Sequence, residues 1–147
     1  MYVSFNNEII PENEVRVGLD CQALFFGDGF FTTTKVENGK ILSYKLHLKR
    51  IEDQCLALNI LKPDLDIEPL IKKNRAEQGS WKLKILVTST IPFQATARPP
   101  LTLLLLTPYK DSKQPVRLKL ITTPSYSAYA SLKTLAYLPN LMQKQEA

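Results

Sequence analysis

A chain of 147 residues is long enough to bury one sizeable core, and 44% hydrophobic with 22% charged residues is typical of a folded globular domain. The net charge is +5, but the basic residues are spread along the chain with acidic residues between them and form no Lys/Arg block. We therefore predict a small anionic ligand and no nucleic-acid partner. No apolar run approaches the roughly 20 residues that span a bilayer, and no secretory signal is visible. We therefore expect a cytoplasmic protein without membrane association.

Short strands separated by turn signals begin the chain. Residues 2–5 alternate in polarity before Asn6-Asn7, which predicts a hairpin returning through Ile9-Ile10. Residues 30–36 are rich in aromatic and β-branched side chains and lead into Asn38-Gly39, a strong hairpin dipeptide. The sequence therefore predicts two hairpins.

The hydrophobic period changes at Ser43, which is available to cap a helix. Apolar side chains then recur at helical spacing, and Pro63 limits the segment; these side chains are Leu48, Ile51, Cys55 and Leu58. A second helix is predicted over residues 67–78, with Gly79 as its stop signal. Cys55 and the distant Cys21 lack metal-ligand spacing, so we expect free thiols and no metal site.

Three further strands are predicted over residues 81–88, 101–106 and 116–122. The first and last alternate in polarity, and the middle run of leucines is typical of a buried strand. Strands grouped around a helix pair favour an α+β fold with an antiparallel sheet and two helices. We predict a domain over residues 1–124, then a connector and the incomplete beginning of a second domain over residues 125–147, with the chain ending inside a helix.

Three segments carry side chains suited to covalent chemistry on an anionic ligand. Lys133 supplies a primary amine, which can attack an aldehyde when partial burial lowers its pKa. His47 and Arg50 share one helix face beside the apolar stripe, where a guanidinium can grip a phosphate with two parallel hydrogen bonds. Gly27-Asp28-Gly29 predicts a tight turn leading into the strand that holds Phe31, Thr32 and Thr33.

These segments, in this order, resemble the class IV aminotransferases, the pyridoxal-phosphate enzymes of fold type IV. The resemblance lies in the Gly27-Asp28-Gly29 turn with its strand, in residues 47–50 (His-Leu-Lys-Arg), and in the segment around Lys133. Phe31-Thr32-Thr33 resembles the aminodeoxychorismate lyases of that superfamily, whereas its branched-chain and D-amino-acid aminotransferases usually carry a glutamate after the aromatic residue. Ala136 stands where these families usually have asparagine.

The resemblance implies a role for each residue and a reaction. Lys133 would bond covalently to pyridoxal 5'-phosphate and catalyse proton transfer, and Arg50 would bind the cofactor phosphate. Thr32, or Thr33 if that residue faces the site, would assist catalysis by orienting the substrate or a water. Phe31 and Thr33 are the substrate-binding candidates, with His47 in a secondary, supporting part. Arg98 is a further candidate from its position in the loop over residues 96–100, for a substrate carboxylate. The implied enzyme is a homodimer that converts 4-amino-4-deoxychorismate into p-aminobenzoate and pyruvate in folate synthesis.

Alternatives remain open from the sequence. Arg50 can be an ordinary exposed arginine with His47 packed beneath it, and Arg98 can be an exposed loop arginine. The chain can instead be a transaminase of the same superfamily for branched-chain or D-amino acids. It can also be an incomplete fragment that keeps the fold and dimer surface without a working site.

Overall fold

The computed structural model describes residues 1–110, 115, 133–136, 138 and 141–142. Within these residues, six strands and three α-helices follow one another along the chain. They are β1 (Tyr2–Phe5), β2 (Glu8–Pro11), α1 (Gln22–Phe26), β3 (Phe30–Glu37), β4 (Lys40–Ile41), α2 (Tyr44–Ala57), α3 (Glu68–Lys73), β5 (Ser80–Thr88) and β6 (Leu101–Pro108). A single 3₁₀ turn, Glu12–Glu14, lies between β2 and α1.

The strands form one antiparallel sheet in the order β2-β1-β6-β5-β3-β4. Both predicted hairpins are confirmed, because β1 pairs with β2 and β3 pairs with β4. Their turn residues Asn6, Asn7, Asn38 and Gly39 all have the positive φ that tight hairpin turns need. The predicted α+β class with an antiparallel sheet is confirmed. Its centre is the long pairing of β5 with β3 on one side and with β6 on the other.

Helices α2 and α3 cover one face of the sheet, where the core lies. Alternate residues of β3, β5 and β6 point into this core, so the period of two in the sequence becomes one buried face. The predicted strand over residues 101–106 is confirmed, although it alternates between buried and half-buried side chains. The strands and helices together bury Phe30, Val36, Ile51, Cys55, Leu70, Leu83, Ile85, Val87 and Leu104.

The predicted helix boundaries needed correction. Helix α2 begins after Ser43 as predicted, but Ser43 has a left-handed backbone and makes no side-chain capping bond. The helix ends at Ala57, well before Pro63, because the chain turns at Asn59 with φ of 54°. Helix α3 is shorter than predicted and stops at Lys73, since Arg75 also has a positive φ. The short helix α1 was not predicted, because a single turn shows no helical periodicity.

Several predictions lie outside the described residues. These are the strand over residues 116–122, the connector over residues 125–131 and the domain boundary after residue 124. Of the helix predicted beyond Leu135, the described residues Leu138, Leu141 and Met142 are helical and exposed.

Candidate active site

The Lys133 segment lies along the edge of β3 that β5 does not occupy. The amide of Phe31 donates to the carbonyl of Lys133 at 3.1 Å, and the amide of Leu135 donates to the carbonyl of Gly29 at 3.0 Å. Thr134 completes an antiparallel bridge with Phe30. The backbone of residues 133–135 is therefore held like an extra piece of strand, which fixes the base of the Lys133 side chain.

The glycines beside Asp28 allow this close approach. A Cβ on Gly27 would lie 3.0 Å from the backbone nitrogen of Ala136, and one on Gly29 would lie 2.5 Å from the carbonyl oxygen of Val87 and 2.8 Å from Leu135 Cδ1. Both glycines also have positive φ, at 61° and 141°. Gly27 ends α1 and Gly29 lies in the bend that leads into β3, and the lack of a Cβ at both positions makes room for the lysine segment.

The Lys133 amine lies over an aromatic ring in a positively charged setting. Its Nζ is 4.8 Å from the centroid of Phe31, and Lys84 Nζ is 4.6 Å from the same centroid. Partial burial, with the nearby charges of Arg50 and Lys84, lowers the pKa of Lys133. A larger share of neutral amine at physiological pH makes Lys133 a better nucleophile than a solvated lysine.

Helix α2 presents Arg50 and His47 to the same region. Partial burial lowers the pKa of His47, and the charges of Arg50 and Lys133 lower it further. Arg50 is exposed, and no ion pair joins it or Lys133 to a described acidic residue. Cations that gather without a neutralising carboxylate, as these do among the described residues, form a site that favours an anion.

Thr32 does not face this cationic site directly. Its side chain is fully buried in the layer between β3 and α2, and its Oγ1 lies 2.6 Å from His47 Nδ1. The prediction that Thr32 contacts a substrate is corrected, because strand alternation turns Thr32 toward the helix layer. Phe31 and Thr33 occupy the opposite face, where Thr33 lies across from Lys84 in the strand register.

The predictions for Arg98 are also corrected. The residue is 0% exposed, so it is neither the exposed loop arginine nor a residue that reaches out to a substrate. Its guanidinium pairs with the Asp28 carboxylate, and it donates to the carbonyls of Ile91 at 2.8 Å and Leu58 at 3.0 Å. Arg98 thus ties the β5–β6 loop to the end of α2 and to the glycine turn.

Sequence reasoning missed Lys84. The residue belongs to an alternating strand, and its neighbour Lys82 occupies the same face two positions earlier. Only the strand register shows that Lys84, and not Lys82, lies across from Thr33 and over Phe31. No local signal distinguishes the two lysines.

Other functional signals were sought over the described residues. No cluster of His, Cys, Asp and Glu there has the arrangement to hold a metal ion. In that same part of the chain, no helix has the length and apolar character to cross a membrane. Both cysteines are buried free thiols.

Residues 29–147 match the amino-transferase class IV family. The matched region is most of the chain and includes β3, α2 and the Lys133 segment. The protein belongs to this family.

Individual relatives are similar over parts of their length. D-alanine aminotransferase from Listeria monocytogenes is 23% identical over 91 residues, which are 58% of this chain and 32% of that protein. A branched-chain aminotransferase from Thermoproteus uzoniensis, solved with norvaline, superimposes with a TM-score of 0.78 at 15% identity, over 100% of this chain and 56% of its own.

A hypothetical aminotransferase from Mycobacterium tuberculosis, in a form with α-ketoglutarate and PMP bound, gives a TM-score of 0.60 at 21% identity, over 74% and 40% of the two chains. These superpositions show a shared fold. In the sequence comparison, the chain spans about a third of the length of the curated relatives it matches.

Proposed function

We propose that this chain supplies the reactive lysine and part of the phosphate site of a pyridoxal-phosphate-dependent enzyme. The observation that carries the proposal is a lysine whose backbone is held against the glycine turn, and whose amine has a pKa lowered by burial and by the charges of Arg50 and Lys84. Family membership and the PLP-bound and PMP-bound forms of the Mycobacterium tuberculosis relative support it.

The residues present fit this cofactor. An aldehyde needs a neutral amine, which Lys133 provides more readily than a solvated lysine does. A phosphate needs charge-assisted donors, and Arg50 is an exposed guanidinium without a described acidic partner. When bound, pyridoxal phosphate would act as an electron sink for a carbanion next to the substrate nitrogen.

The chain's own groups then have separate tasks. Arg50 binds the phosphate and sets the position of the ligand. The Lys133 amine accepts a proton from the carbon that bears the substrate amine and returns it later in the cycle. Phe31 forms an apolar surface beneath this amine, which limits its hydration and its freedom to move. The homodimer and the cytoplasmic location stay predictions from the sequence.

For the reaction, we propose the lyase that converts 4-amino-4-deoxychorismate into p-aminobenzoate and pyruvate. The support is the sequence resemblance at Phe31-Thr32-Thr33, together with the cationic surroundings of Lys133, which suit a dianionic substrate. Because Thr32 is buried against His47, it acts in this proposal by holding the histidine.

A transaminase is the second candidate. It is favoured by the relatives that the chain matches, among them D-alanine and branched-chain aminotransferases. The two reactions differ in what happens to the amino group. A lyase regenerates its cofactor on each turnover, whereas a transaminase stops after one half-reaction until a keto acid arrives.

The amine assignment is tested by reducing the protein with borohydride in the presence of pyridoxal phosphate and mapping the label by mass spectrometry. We expect the label on Lys133 and none in the Lys133→Ala variant. Lys82→Ala is the matched control and should keep the label on Lys133, because it removes an exposed lysine from the same strand and face as Lys84. Equal labelling of another lysine would refute the assignment.

The reaction is tested separately on a protein that shows this label. With 4-amino-4-deoxychorismate alone, the lyase proposal expects equal amounts of p-aminobenzoate and pyruvate over many turnovers. Turnover of D-alanine or leucine that requires a keto acid, without pyruvate from aminodeoxychorismate, would establish the transaminase instead.

A further inference from the structure

The contact between Thr32 and His47 determines where the histidine ring carries its proton. Thr32 Oγ1 lies 2.6 Å from His47 Nδ1, and the Thr32 side chain is fully buried. Among the described residues, His47 Nδ1 is the hydrogen-bond partner of the Thr32 hydroxyl. If Nδ1 carried a proton and donated it to Thr32, the hydroxyl hydrogen would be buried without an acceptor, which is costly. Thr32 therefore donates and Nδ1 accepts.

The ring is also held in its neutral form. Burial, Arg50 and Lys133 all lower the pKa of His47, so a proton on both nitrogens is disfavoured. A neutral ring whose Nδ1 accepts a hydrogen bond carries its proton on Nε2. Since the two nitrogens lie on different sides of the ring, the Nε2–H group is directed away from the buried hydroxyl.

We propose that Thr32 fixes His47 as the Nε2–H tautomer, and that this N–H is an uncharged donor to the phosphate group bound by Arg50. His47 lies one helical turn before Arg50, on the same side of α2. A third cation beside Arg50 and Lys133 would add like-charge repulsion, whereas a neutral donor adds a hydrogen bond to the phosphate without it. The phosphate part of this inference rests on the proposed cofactor function.

The tautomer can be measured directly because the chain contains 1 histidine. In long-range ¹H–¹⁵N spectra of the labelled protein at pH 8, we expect one protonated-type nitrogen, assigned to Nε2, and an acceptor-type Nδ1. Thr32→Val keeps the shape and removes the hydroxyl, so the ring should become a mixture of tautomers.

Thr34→Val is the matched control. Thr34 lies on the same strand and face as Thr32, but its hydroxyl donates to the Leu42 carbonyl at 2.7 Å. This variant should leave the histidine spectrum unchanged. A wild-type ring protonated on Nδ1, or a Thr32→Val spectrum identical to wild type, would overturn the tautomer assignment.

The donor role is tested by titrating the same protein with inorganic phosphate and with pyridoxal phosphate. We expect the Nε2–H resonance to shift on binding, and His47→Ala to weaken the affinity about tenfold or more, as the loss of a hydrogen bond to a charged acceptor does. His47→Gln should recover part of the loss, because its amide N–H can occupy the position of Nε2–H. Recovery by glutamine would not follow if His47 served packing alone.

The outcomes separate this inference from the proposed function. If borohydride labels Lys133 while the Nε2–H resonance ignores phosphate, the cofactor function stands and the donor role is wrong. If neither labelling nor phosphate binding occurs, the donor role fails together with the cofactor proposal. The tautomer measurement decides the Thr32 relationship in either case, because it needs no ligand.

Discussion

The Asp28 carboxylate of the glycine turn forms an ion pair with the guanidinium of Arg98, a residue 70 positions away in the sequence. Arg98 is 0% exposed and the Asp28 side chain 11%. The turn that makes room for Lys133 is thus fastened to the core by a buried ion pair. Removing either charge leaves the other without compensation in a poorly solvated place.

Replacement of Arg98 by methionine should destabilise the fold by about 3–5 kcal/mol, the usual cost of leaving a buried charge unpaired. Urea denaturation measures the change. Arg50→Met is the matched control, because Arg50 is exposed and should change the free energy of unfolding little. The double variant Arg98→Met with Asp28→Asn should regain part of the loss. Equal stability of the two arginine variants would contradict the buried pairing.

Gly29→Ala should cost more stability than Gly79→Ala. Both residues have positive φ, and that strain alone costs about 1–3 kcal/mol for an L-residue. A Cβ on Gly79 meets nothing within 4 Å, whereas one on Gly29 would clash with the Val87 carbonyl and with Leu135. The extra loss should appear in denaturation curves, with faster hydrogen exchange of the Leu135 amide. Equal losses in the two variants would show that the close approach is unimportant.

Arg50→Ala should weaken pyridoxal-phosphate binding by about 1.5–3 kcal/mol, the contribution of a hydrogen bond to a charged group. Arg50→Lys should recover part of the affinity, since an ammonium cannot form two parallel bonds to a phosphate. Fluorescence or absorbance titration provides the measurement. Lys49→Ala is the control, because Lys49 is the adjacent cation on α2 and is already paired with Asp53. Unchanged affinity in Arg50→Ala would return Arg50 to an ordinary surface role.

Lys84→Met should raise the pKa of Lys133, because it removes one of the like charges that lower it. A higher pKa leaves less neutral amine at pH 8, so acetylation of Lys133 by a limiting reagent should slow and its pH profile should move to higher pH. Mass spectrometry of the Lys133 peptide follows this reaction without any cofactor. Lys82→Met, on the same strand and face, should leave the profile in place. Faster acetylation in the Lys84 variant would contradict the electrostatic coupling.

Local sequence signals determined much of the fold. Asn6-Asn7 and Asn38-Gly39 predicted their hairpins, since both turns need positive φ that asparagine and glycine tolerate. The alternation along β5 and the helical period that begins at Ser43 predicted which elements form. The glycine turn, Arg50 and Lys133 also became candidate site residues from the sequence, because they occur in the order that the class IV aminotransferases use. The family match supports that resemblance at the level of the superfamily.

The tertiary structure decided which side chains meet. Thr32 and Thr33 are adjacent in sequence and equal in chemistry, yet one contacts His47 within the core and the other lies across from Lys84. Arg98 came from a loop that reads as exposed, and only the packing of that loop against Asp28 buries it. The reason is that strand facing and ion pairing depend on partners far away in the chain, and a register shift of one residue would turn every side chain of β3 to the opposite face.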